Sequence, residues 1–477
     1  METKKSKRLI VAIAVIYWVF AIGIYAIAND QFRYEYVEGK TPTSEYIIGE
    51  IVDGMEICQP IVVPSETISG VEVMTDTYNR ENTGTLIVTL EDRSQTFLAQ
   101  GRVDISGFEN CLYNEIELET PIQVTPGETI LLTVTTEGCS TGNAVTLYAG
   151  RTISSDAQPV YKADAEALFE NGYLCIRLTG VNSLEFYRIY WVIVSVAFVA
   201  LAIYTAICWR DALQGKTNPL VSVLTVYTRY SFLIKQLVSR DFKTKYKRSA
   251  LGMAWSFLNP LLTMSVQYLV FSTLFKSNIP NYPVYLLTGI VFFGFFNEAV
   301  ALGMTSITSN AALIKKVYMP KYIYPLSRIF SSLVNFGLAL LPLLLVVLLT
   351  KTRVTPAIFL LMFDILCFLA FLIGLTLLLT TAMTFFQDTQ YLWSVVSLMW
   401  QYVTPIFYPE TIIPENMLPI YRLNPMYQFI TFARTCIIDG ESPAPEAYCG
   451  CIIWAMSVLL LGVVVFKKHQ NKFVVYL

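Results

Sequence analysis

Hydrophobic residues follow two different patterns along this chain. Apolar runs of about membrane-spanning length occur at residues 9–28 and 186–208. Six further runs cover residues 250–275, 282–306, 325–349, 357–384, 391–407 and 449–466. A helix needs roughly 20 such residues to cross a bilayer. The pattern therefore predicts a multi-pass α-helical membrane protein with about eight transmembrane helices.

Between the first two runs, apolar residues alternate with polar ones. The segments TLIVTLED, NEIELET, ETILLTVTTE, NAVTLYAG and GYLCIRLTG have the period of two that is typical of strands, and turn formers such as Pro126-Gly127 separate them. This predicts an antiparallel β-sandwich, jelly-roll-like in form, inserted between the first two helices. The roughly 155 residues of this region suffice for an independent core.

The charge distribution gives a topology. Residues 30–185 contain 8 basic and 25 acidic residues, a net charge of −17, whereas the remainder carries +15. Basic residues precede the first run and follow the second, so the positive-inside rule places both termini in the cytoplasm and residues 30–185 outside. The first run ends in AIAND, which resembles a signal-peptidase site, but it is longer than a signal h-region. We favour a retained anchor over a cleaved signal.

Composition and charge together predict five regions. With 54% hydrophobic residues and a mean hydropathy of +0.51, most of the chain belongs in the membrane. Residues 223–247 are expected to form an amphipathic helix along the inner membrane surface. The regions are residues 1–29, a cytoplasmic tail and anchor; 30–185, the extracytoplasmic β-sandwich; 186–209, the second transmembrane helix; 210–249, a cytoplasmic linker and interface helix; and 250–477, a six-helix transport domain.

Four of the nine cysteines, Cys58, Cys111, Cys139 and Cys175, fall in the predicted exterior domain. An oxidising compartment allows two disulfides in any of three pairings. Buried thiols are an equal alternative, because a core of this size needs no covalent staple. Cys449 and Cys451 have no second pair at zinc-like spacing, so no metal site is predicted.

A short polar segment, SNAALIKKVYMP, separates two of the apolar runs. Asn310 is a good helix cap, and Ile314, Val317 and Tyr318 recur at helical spacing before Pro320. A helix of about two turns is marginal alone in water, so another surface is expected to receive its apolar edge. An ordinary basic inside loop is the alternative.

Five segments carry a resemblance to a known family. They are KYKRSALGMAWSFLNPLL, NYPVYLLTGIVFFGFFNEAV, SNAALIKKVYMP, FFQDTQYLWSVVSLMWQYVTPIFYP and LNPMYQFITFAR, in that order over roughly the last 255 residues. They resemble the membrane subunit of type-2 ABC exporters that move O-antigen, teichoic acid and related lipid-linked polysaccharides. Residues 1 to about 215 lie outside the usual pattern of that family.

The resemblance implies partners. Such permeases pair as homodimers, bind two copies of a cytosolic ATPase and pass a lipid-linked glycan across the bacterial plasma membrane. This chain has no phosphate-binding loop, since Arg210 stands where the first glycine of a Walker A motif would precede Gly215-Lys216-Thr217. ATP and Mg²⁺ are therefore expected in the ATPase, with no cofactor on this chain and no catalytic residue. Membrane lipids are further partners, and nucleic acid is not.

The resemblance also suggests site residues, in three groups. Its coupling helix corresponds to Asn310, Leu313, Ile314, Lys315, Lys316, Val317 and Tyr318. Aromatic residues expected to line a sugar-stacking channel are Trp255, Phe257, Tyr268, Phe293, Phe296, Trp393 and Trp400. The proline-rich stretch after residue 404 cannot be one continuous helix, and it places Tyr408, Tyr421 and Arg422 near the channel exit. Contact with lipid or partner helices is the alternative for each aromatic residue.

Two carboxylates, Glu298 and Asp364, fall within apolar runs. Membrane carboxylates usually face a cavity or a partner, so a proton-coupled secondary transporter is a competing function. The two halves of the chain show no inverted repeat, which disfavours it. For the exterior domain, contact with the emerging glycan and a passive spacer role both remain open.

Overall fold

The structure is a computed structural model, and it divides into two units by its contacts. It describes the chain apart from residues 1, 40, 42–43, 109, 152–159, 163–166, 170–171, 214–229, 248–250, 276–280, 317–318, 415 and 477. One unit, Phe32–Tyr187, is called the β unit below. The other, Met1–Gln31 with Arg188–Leu477, is called the helical unit.

The β unit contains thirteen described strands. They are β1 (Tyr34–Glu38), β2 (Tyr46–Ile47), β3 (Ile57–Val62), β4 (Thr67–Asp76), β5 (Thr85–Glu91), β6 (Phe97–Asp104), β7 (Leu112–Gln123), β8 (Thr129–Glu137), β9 (Thr146–Arg151), β10 (Val160–Lys162), β11 (Ala167–Phe169), β12 (Gly172–Leu174) and β13 (Ile176–Ser183). Each strand predicted from period-two alternation is confirmed. The β unit also lies in the chain between the first two long helices, as expected.

All described strand pairs are antiparallel, in the order β1-β13-β4-β7-β6-β5-β8-β3-β10-β11, and β9 pairs with β2, β4 and β12. The strands therefore form one continuous series rather than the two separate sheets of a sandwich. The link between β6 and β7 is the pair Gly101–Leu118. A Cβ at Gly101 would lie 2.8 Å from the Glu117 carbonyl oxygen, so only glycine allows this approach.

One buried core fills the β unit. Inward-facing residues of β4 and β8, such as Val71, Val73, Leu132 and Val134, belong to the same cluster. Where β13 ends beside the start of β4, the Ser183 hydroxyl and N–H donate to Glu66 Oε2 at 2.7 and 3.1 Å, respectively. These bonds lower the pKa of Glu66 and join the start of β4 to the end of β13.

The predicted disulfides do not form among the four cysteines of the β unit. Cys58, Cys111 and Cys139 carry free thiols, which leaves no pair available. The Cys58 thiol contacts the Thr133 hydroxyl at 3.5 Å, whereas the Cys111 thiol lies 3.2 Å from the Tyr148 hydroxyl. The apolar core stabilises the β unit without a covalent link, as expected for a domain of this size.

The helical unit is built from fourteen described α-helices. They are α1 (Glu2–Arg33, which extends into the β unit), α2 (Phe186–Leu213), α3 (Ser231–Tyr246), α4 (Ala254–Phe275), α5 (Tyr282–Met304), α6 (Ser306–Ser309), α7 (Ala311–Lys316), α8 (Ile323–Leu349), α9 (Leu361–Phe385), α10 (Thr389–Val403), α11 (Leu418–Arg422), α12 (Pro425–Arg434), α13 (Pro445–His469) and α14 (Phe473–Tyr476). The predicted interface helix is α3, and the first part of its predicted range lies outside the described residues.

Six spans among the described residues are long and apolar enough to cross a membrane. They are Val11–Arg33, Phe186–Ile207, Tyr282–Met304, Ile323–Leu349, Pro356–Phe385 and Pro445–Tyr476. Helices α4 and α10 also occupy predicted spans, but α4 contains Asn259, Pro260 and Gln267, and α10 has only 15 residues. The count of eight stays a prediction.

Helices α1 and α2 contact each other through hydrogen bonds and aromatic rings. The Tyr17 hydroxyl donates to the Val194 carbonyl and the Tyr190 hydroxyl to the Ala21 carbonyl, both at 2.7 Å. Phe198 lies between the rings of Tyr17 and Trp18 at 5.6 and 5.3 Å. Only 11% of the most apolar window of either helix is buried, so both leave most of their surface to the membrane.

Two glycines bring α9 and α13 into direct backbone contact. A Cβ at Gly462 would collide with the Gly374 backbone, and a Cβ at Gly374 would collide with the backbone at Val458. Small residues allow transmembrane helices to approach closely, where dispersion and weak polar contacts hold them together. This crossing fixes the last transmembrane helix against the rest of the unit.

We expect Gly462→Ala to lower the stability of the helical unit by about 1–3 kcal/mol, because the added methyl forces the two helices apart. Gly337→Ala is the matched control, since a Cβ there meets no atom within 4 Å. Thermal unfolding of the purified full chain in detergent measures both. Equal midpoints for the two variants would contradict this packing.

Candidate functional site

A charged network lies where four helices of the helical unit meet. Lys245 Nζ of α3 donates to Glu298 Oε1 of α5 at 2.8 Å. Asn335 Nδ2 of α8 donates to the same oxygen at 2.6 Å. The membrane carboxylate found in the sequence is therefore an ion-paired, hydrogen-bonded group, which offsets the cost of placing it among apolar helices.

Tyr246 extends this network to α4. Its hydroxyl makes a short hydrogen bond with the Ser256 hydroxyl and donates to Asn335 Oδ1 at 3.1 Å. Sequence reasoning missed Lys245, Tyr246 and Asn335 as members of a site. The available signal was an amide, Asn335, in the middle of an otherwise apolar run.

Asp364 has a different environment from Glu298. It is fully buried at the start of α9, with the Cys451 thiol 4.0 Å from Oδ1. Its Oδ2 accepts no hydrogen bond from the described residues. Among those residues the two carboxylates share no hydrogen-bond partner, so the structure does not join them into a proton relay.

Four of the seven predicted channel aromatics form one interior group. Phe296 lies 5.3 Å from Phe293, 5.3 Å from Trp400 and 6.0 Å from Trp393 between ring centroids. Phe293, Phe296 and Trp393 are buried within the chain. Their ring faces are therefore occupied by protein, and a stacking role in a channel stays a prediction for this group.

The other three predicted aromatics lie on α4, and their rings are more open. Trp255 and Tyr268 are 46% and 39% exposed, and Phe257 is half-buried. Tyr268 contacts the Tyr282 ring at 5.8 Å. Trp255 therefore has a ring face available for a ligand or a neighbouring molecule, which Phe296 does not.

Asn424 connects the interior aromatic group to the proline-rich segment. Its Oδ1 accepts from Trp400 Nε1 at 2.7 Å and from the Met426 N–H at 3.0 Å, which caps α12. Its Nδ2 donates to Thr404 Oγ1 at 2.9 Å. One amide thus fixes the end of α10 and the start of α12 in a single geometry.

Arg434 is a second anchor of this segment, and sequence reasoning missed it. Its buried guanidinium donates to the carbonyls of Pro405, Ile406 and Tyr285 at 2.8, 3.2 and 3.1 Å. It also lies 3.4 Å from the Tyr285 ring centroid. Irregular backbone at membrane depth needs such partners, because hydrocarbon supplies none.

The predicted exit residues lie on the irregular segment between α10 and α12, which contains only short helices, as expected. The Tyr408 hydroxyl donates to the Tyr402 carbonyl at 2.9 Å. The Arg422 carbonyl accepts from Gln428 Nε2 at 2.6 Å. Tyr421 and Arg422 both belong to the five-residue helix α11. Their proximity to a substrate stays a prediction.

Comparisons with known proteins match the helical unit. The family model described as ABC-2 type transporter matches residues 232–438. The O-antigen export system permease protein RfbA of Myxococcus xanthus is 30% identical over 251 residues, which is 51% of this chain and 95% of the relative. The chain belongs to the ABC-2 type transporter family. It is a type-2 ABC exporter permease.

Two further relatives agree. The O-antigen export system permease protein RfbA of Klebsiella pneumoniae is 29% identical over 245 residues, 50% of this chain and 93% of the relative. The capsule polysaccharide export inner-membrane protein CtrC of Neisseria meningitidis is 22% identical over 244 residues, 50% of this chain and 91% of the relative. The β unit of the permease lies outside the matched family region.

The short helix α7 of the permease is packed differently from the prediction. Ile314 is buried in a cluster with Ile307, Tyr324 and Phe473, so the protein's own core covers most of its side chain. Leu313 is instead the exposed apolar residue, at 36%. Val317 and Tyr318 lie outside the described residues. Asn310 precedes α7, and its carbonyl accepts from Leu313 and Ile314 while its side chain donates back to the Ser306 carbonyl.

Aromatic residues of the β unit offer few free ring faces. Tyr113 lies under Arg177, 3.9 Å from its guanidinium, and the Tyr148 hydroxyl donates to Asp76 at 2.7 Å. Tyr34 and Tyr36 are 44% and 65% exposed on the same face of β1. The rings of Tyr34 and Tyr36 are therefore accessible to a ligand, whereas Tyr113 and Tyr148 are engaged by other residues.

We expect Phe296→Ala to destabilise the permease by about 3 kcal/mol, because it leaves a cavity inside the aromatic group. Trp255→Ala should change stability by less than about 0.5 kcal/mol, because that side chain is exposed. Thermal melting of the purified permease and its abundance in membranes measure both effects. A large loss of stability in Trp255→Ala would place that ring in the packed interior instead.

Proposed function

We propose that this permease passes a lipid-linked polysaccharide, such as an O-antigen, teichoic acid or other cell-surface glycan, from the inner to the outer face of the bacterial plasma membrane. The observation that carries this proposal is the match to O-antigen and capsule export permeases over more than nine-tenths of their length. The exposed aromatic residues on α4, Trp255 and Tyr268, support it, because ring faces bind sugars without holding them in one place.

The proposed topology has eight transmembrane helices. Helices α4 and α10 complete the six long apolar spans, and both termini lie in the cytoplasm. The acidic β unit then lies outside the membrane, tethered at both ends by α1 and α2. The basic residues at the N-terminus and after α2 support this orientation through the positive-inside rule.

A homodimer is part of the proposal. Along α10, Tyr391, Val395, Leu398 and Tyr402 are exposed at helical spacing by 55–73%. Exposed apolar residues on α4 include Leu262, Val266 and Leu269. A second copy covering these faces would enclose a path between the subunits, and lipid would cover them in a monomer.

ATP hydrolysis is assigned to two copies of a cytosolic ATPase, which also holds the ATP and Mg²⁺. The exposed Leu313, Lys315 and Lys316 of α7 offer an apolar residue flanked by two cations for docking. Because Ile314 ties α7 to the helical core, movement of α7 would be transmitted to α8 and α13. This is the mechanical link that we propose between hydrolysis and transport.

For the β unit we propose contact with the emerging glycan, through Tyr34 and Tyr36. Attachment to the permease through α1 and α2 gives this surface a high effective concentration of whatever emerges. The net charge of −17 for residues 30–185 favours a neutral over an anionic glycan. A passive spacer is the alternative for this unit.

A proton-coupled transporter is less well supported. Glu298 is already paired with Lys245 and Asn335, and among the described residues Asp364 shares no hydrogen-bond partner with it. Proton coupling needs carboxylates that exchange protons along a continuous path.

The test of the function is complementation of cells that lack this permease. Cells that express it with an active ATPase should display surface polysaccharide, and cells with an ATPase lacking its Walker A lysine should accumulate the glycan inside. Antibody labelling of intact and of permeabilised cells separates the two pools. Undiminished export with the inactive ATPase would refute the proposal and favour proton coupling.

The coupling helix provides a second, independent test. Leu313→Asp should weaken co-purification of the ATPase by about tenfold and reduce export, because a charge replaces the exposed apolar contact. Leu313→Met is the matched control and should behave as the native permease. Normal ATPase binding by Leu313→Asp, at unchanged permease abundance, would contradict a coupling role for α7 and favour an ordinary basic loop.

A further inference from the structure

A half-open cavity of about 440 Å³ lies in the helical unit, lined by residues of α3, α4, α5 and α8. Its volume falls in the range of small-molecule sites, roughly 300–1,000 Å³. The residues that matter to its chemistry are Lys245, Trp255, Asn259, Thr263, Glu298 and Asn335. Trp255 is the residue of this cavity that was also expected to line a channel, and the family match assigns no role to the polar groups beside it.

Several polar groups of the cavity wall are left uncommitted. Glu298 makes both of its described hydrogen bonds through Oε1, which leaves Oε2 available. Among the described residues, the side chains of Asn259, Thr263 and Trp255 also make no hydrogen bond. A carboxylate oxygen, an amide, a hydroxyl and an indole N–H therefore remain able to bind one polar molecule.

The charge of the cavity selects between two kinds of ligand. Its cation, Lys245, is already paired with Glu298, so the two charges cancel. A diphosphate would meet no unpaired cation here and would be repelled by the carboxylate. A molecule with many hydroxyls and an apolar ring face fits this cavity better than a diphosphate does. Its hydroxyls can bond to the free donors and acceptors, and its ring face can stack on the exposed Trp255 ring.

We propose that this cavity is a binding subsite for one uncharged sugar unit, seated against Trp255 and hydrogen-bonded by Asn259, Thr263 and Glu298. The inference rests on the proposed export of a glycan and adds a place within one subunit where a sugar is held. In this subsite, Lys245 and Asn335 orient the Glu298 carboxylate by donating to Oε1. The other oxygen, Oε2, accepts a hydrogen bond from a sugar hydroxyl.

The experiment uses the purified full-length permease with its ATPase in lipid nanodiscs. The probes are the methyl glycosides of glucose, galactose, mannose and N-acetylglucosamine, each titrated to 10 mM, roughly the concentration at which a single-sugar contact is detected. Binding is read by saturation-transfer NMR, with inorganic pyrophosphate as the competitor. We expect at least one glycoside to bind and pyrophosphate to leave it bound.

Two variants locate the binding. Asn259→Leu and Trp255→Leu should each weaken it by about fivefold or more, the effect of losing one good hydrogen bond or one stacking face. Trp454→Leu, in α13 and outside the cavity wall, is the matched control for Trp255 and should bind as the native permease. Melting temperatures of all variants verify that they are folded.

The outcomes separate the subsite from the function. No glycoside binding, displacement by pyrophosphate, or equal binding by native and variant permeases would each overturn the subsite. ATP-dependent glycan export by the native complex, measured on the same preparations, tests the proposed function separately. Export without cavity binding leaves that function standing and removes only the subsite.

Discussion

Polar groups that lie among the helices of this permease need partners inside the protein, because hydrocarbon offers none. Arg434 meets this requirement for the segment after α10 by donating to three backbone carbonyls. Asn424 meets it for the joint between α10 and α12. Glu298 meets it through Lys245 and Asn335. These fixed pairs determine which helices lie together.

The fold was predictable wherever local pattern decides structure. Alternation in β5, β7 and β8 identified strands, and long apolar runs identified helices. The pairing of β6 with β7 at Gly101 was not predictable, because a glycine in a strand does not reveal which backbone approaches it. The choice between disulfides and free thiols stayed open in the sequence, because cysteine number and compartment show only that pairing is allowed, whereas the thiol positions depend on the tertiary fold.

The candidate site was less predictable than the fold. The helical spacing around Ile314 revealed an apolar side of the short helix, but periodicity alone cannot tell whether that side faces a partner or the protein's own core. The ion pair joins residues 53 positions apart, Lys245 and Glu298, and only the packing of α3 against the transmembrane helices brings them together. Aromatic composition likewise could not separate the buried Phe296 from the exposed Trp255.

Hydrogen bonds from Tyr17 and Tyr190 and ring contacts of Phe198 join α1 to α2. Together with the β unit, these helices form one contiguous segment of the chain that precedes the matched family region. The β unit lies between these helices in the chain and has its own core. An exporter could thus gain or lose this accessory segment as one block of sequence, without interrupting the region that matches the family.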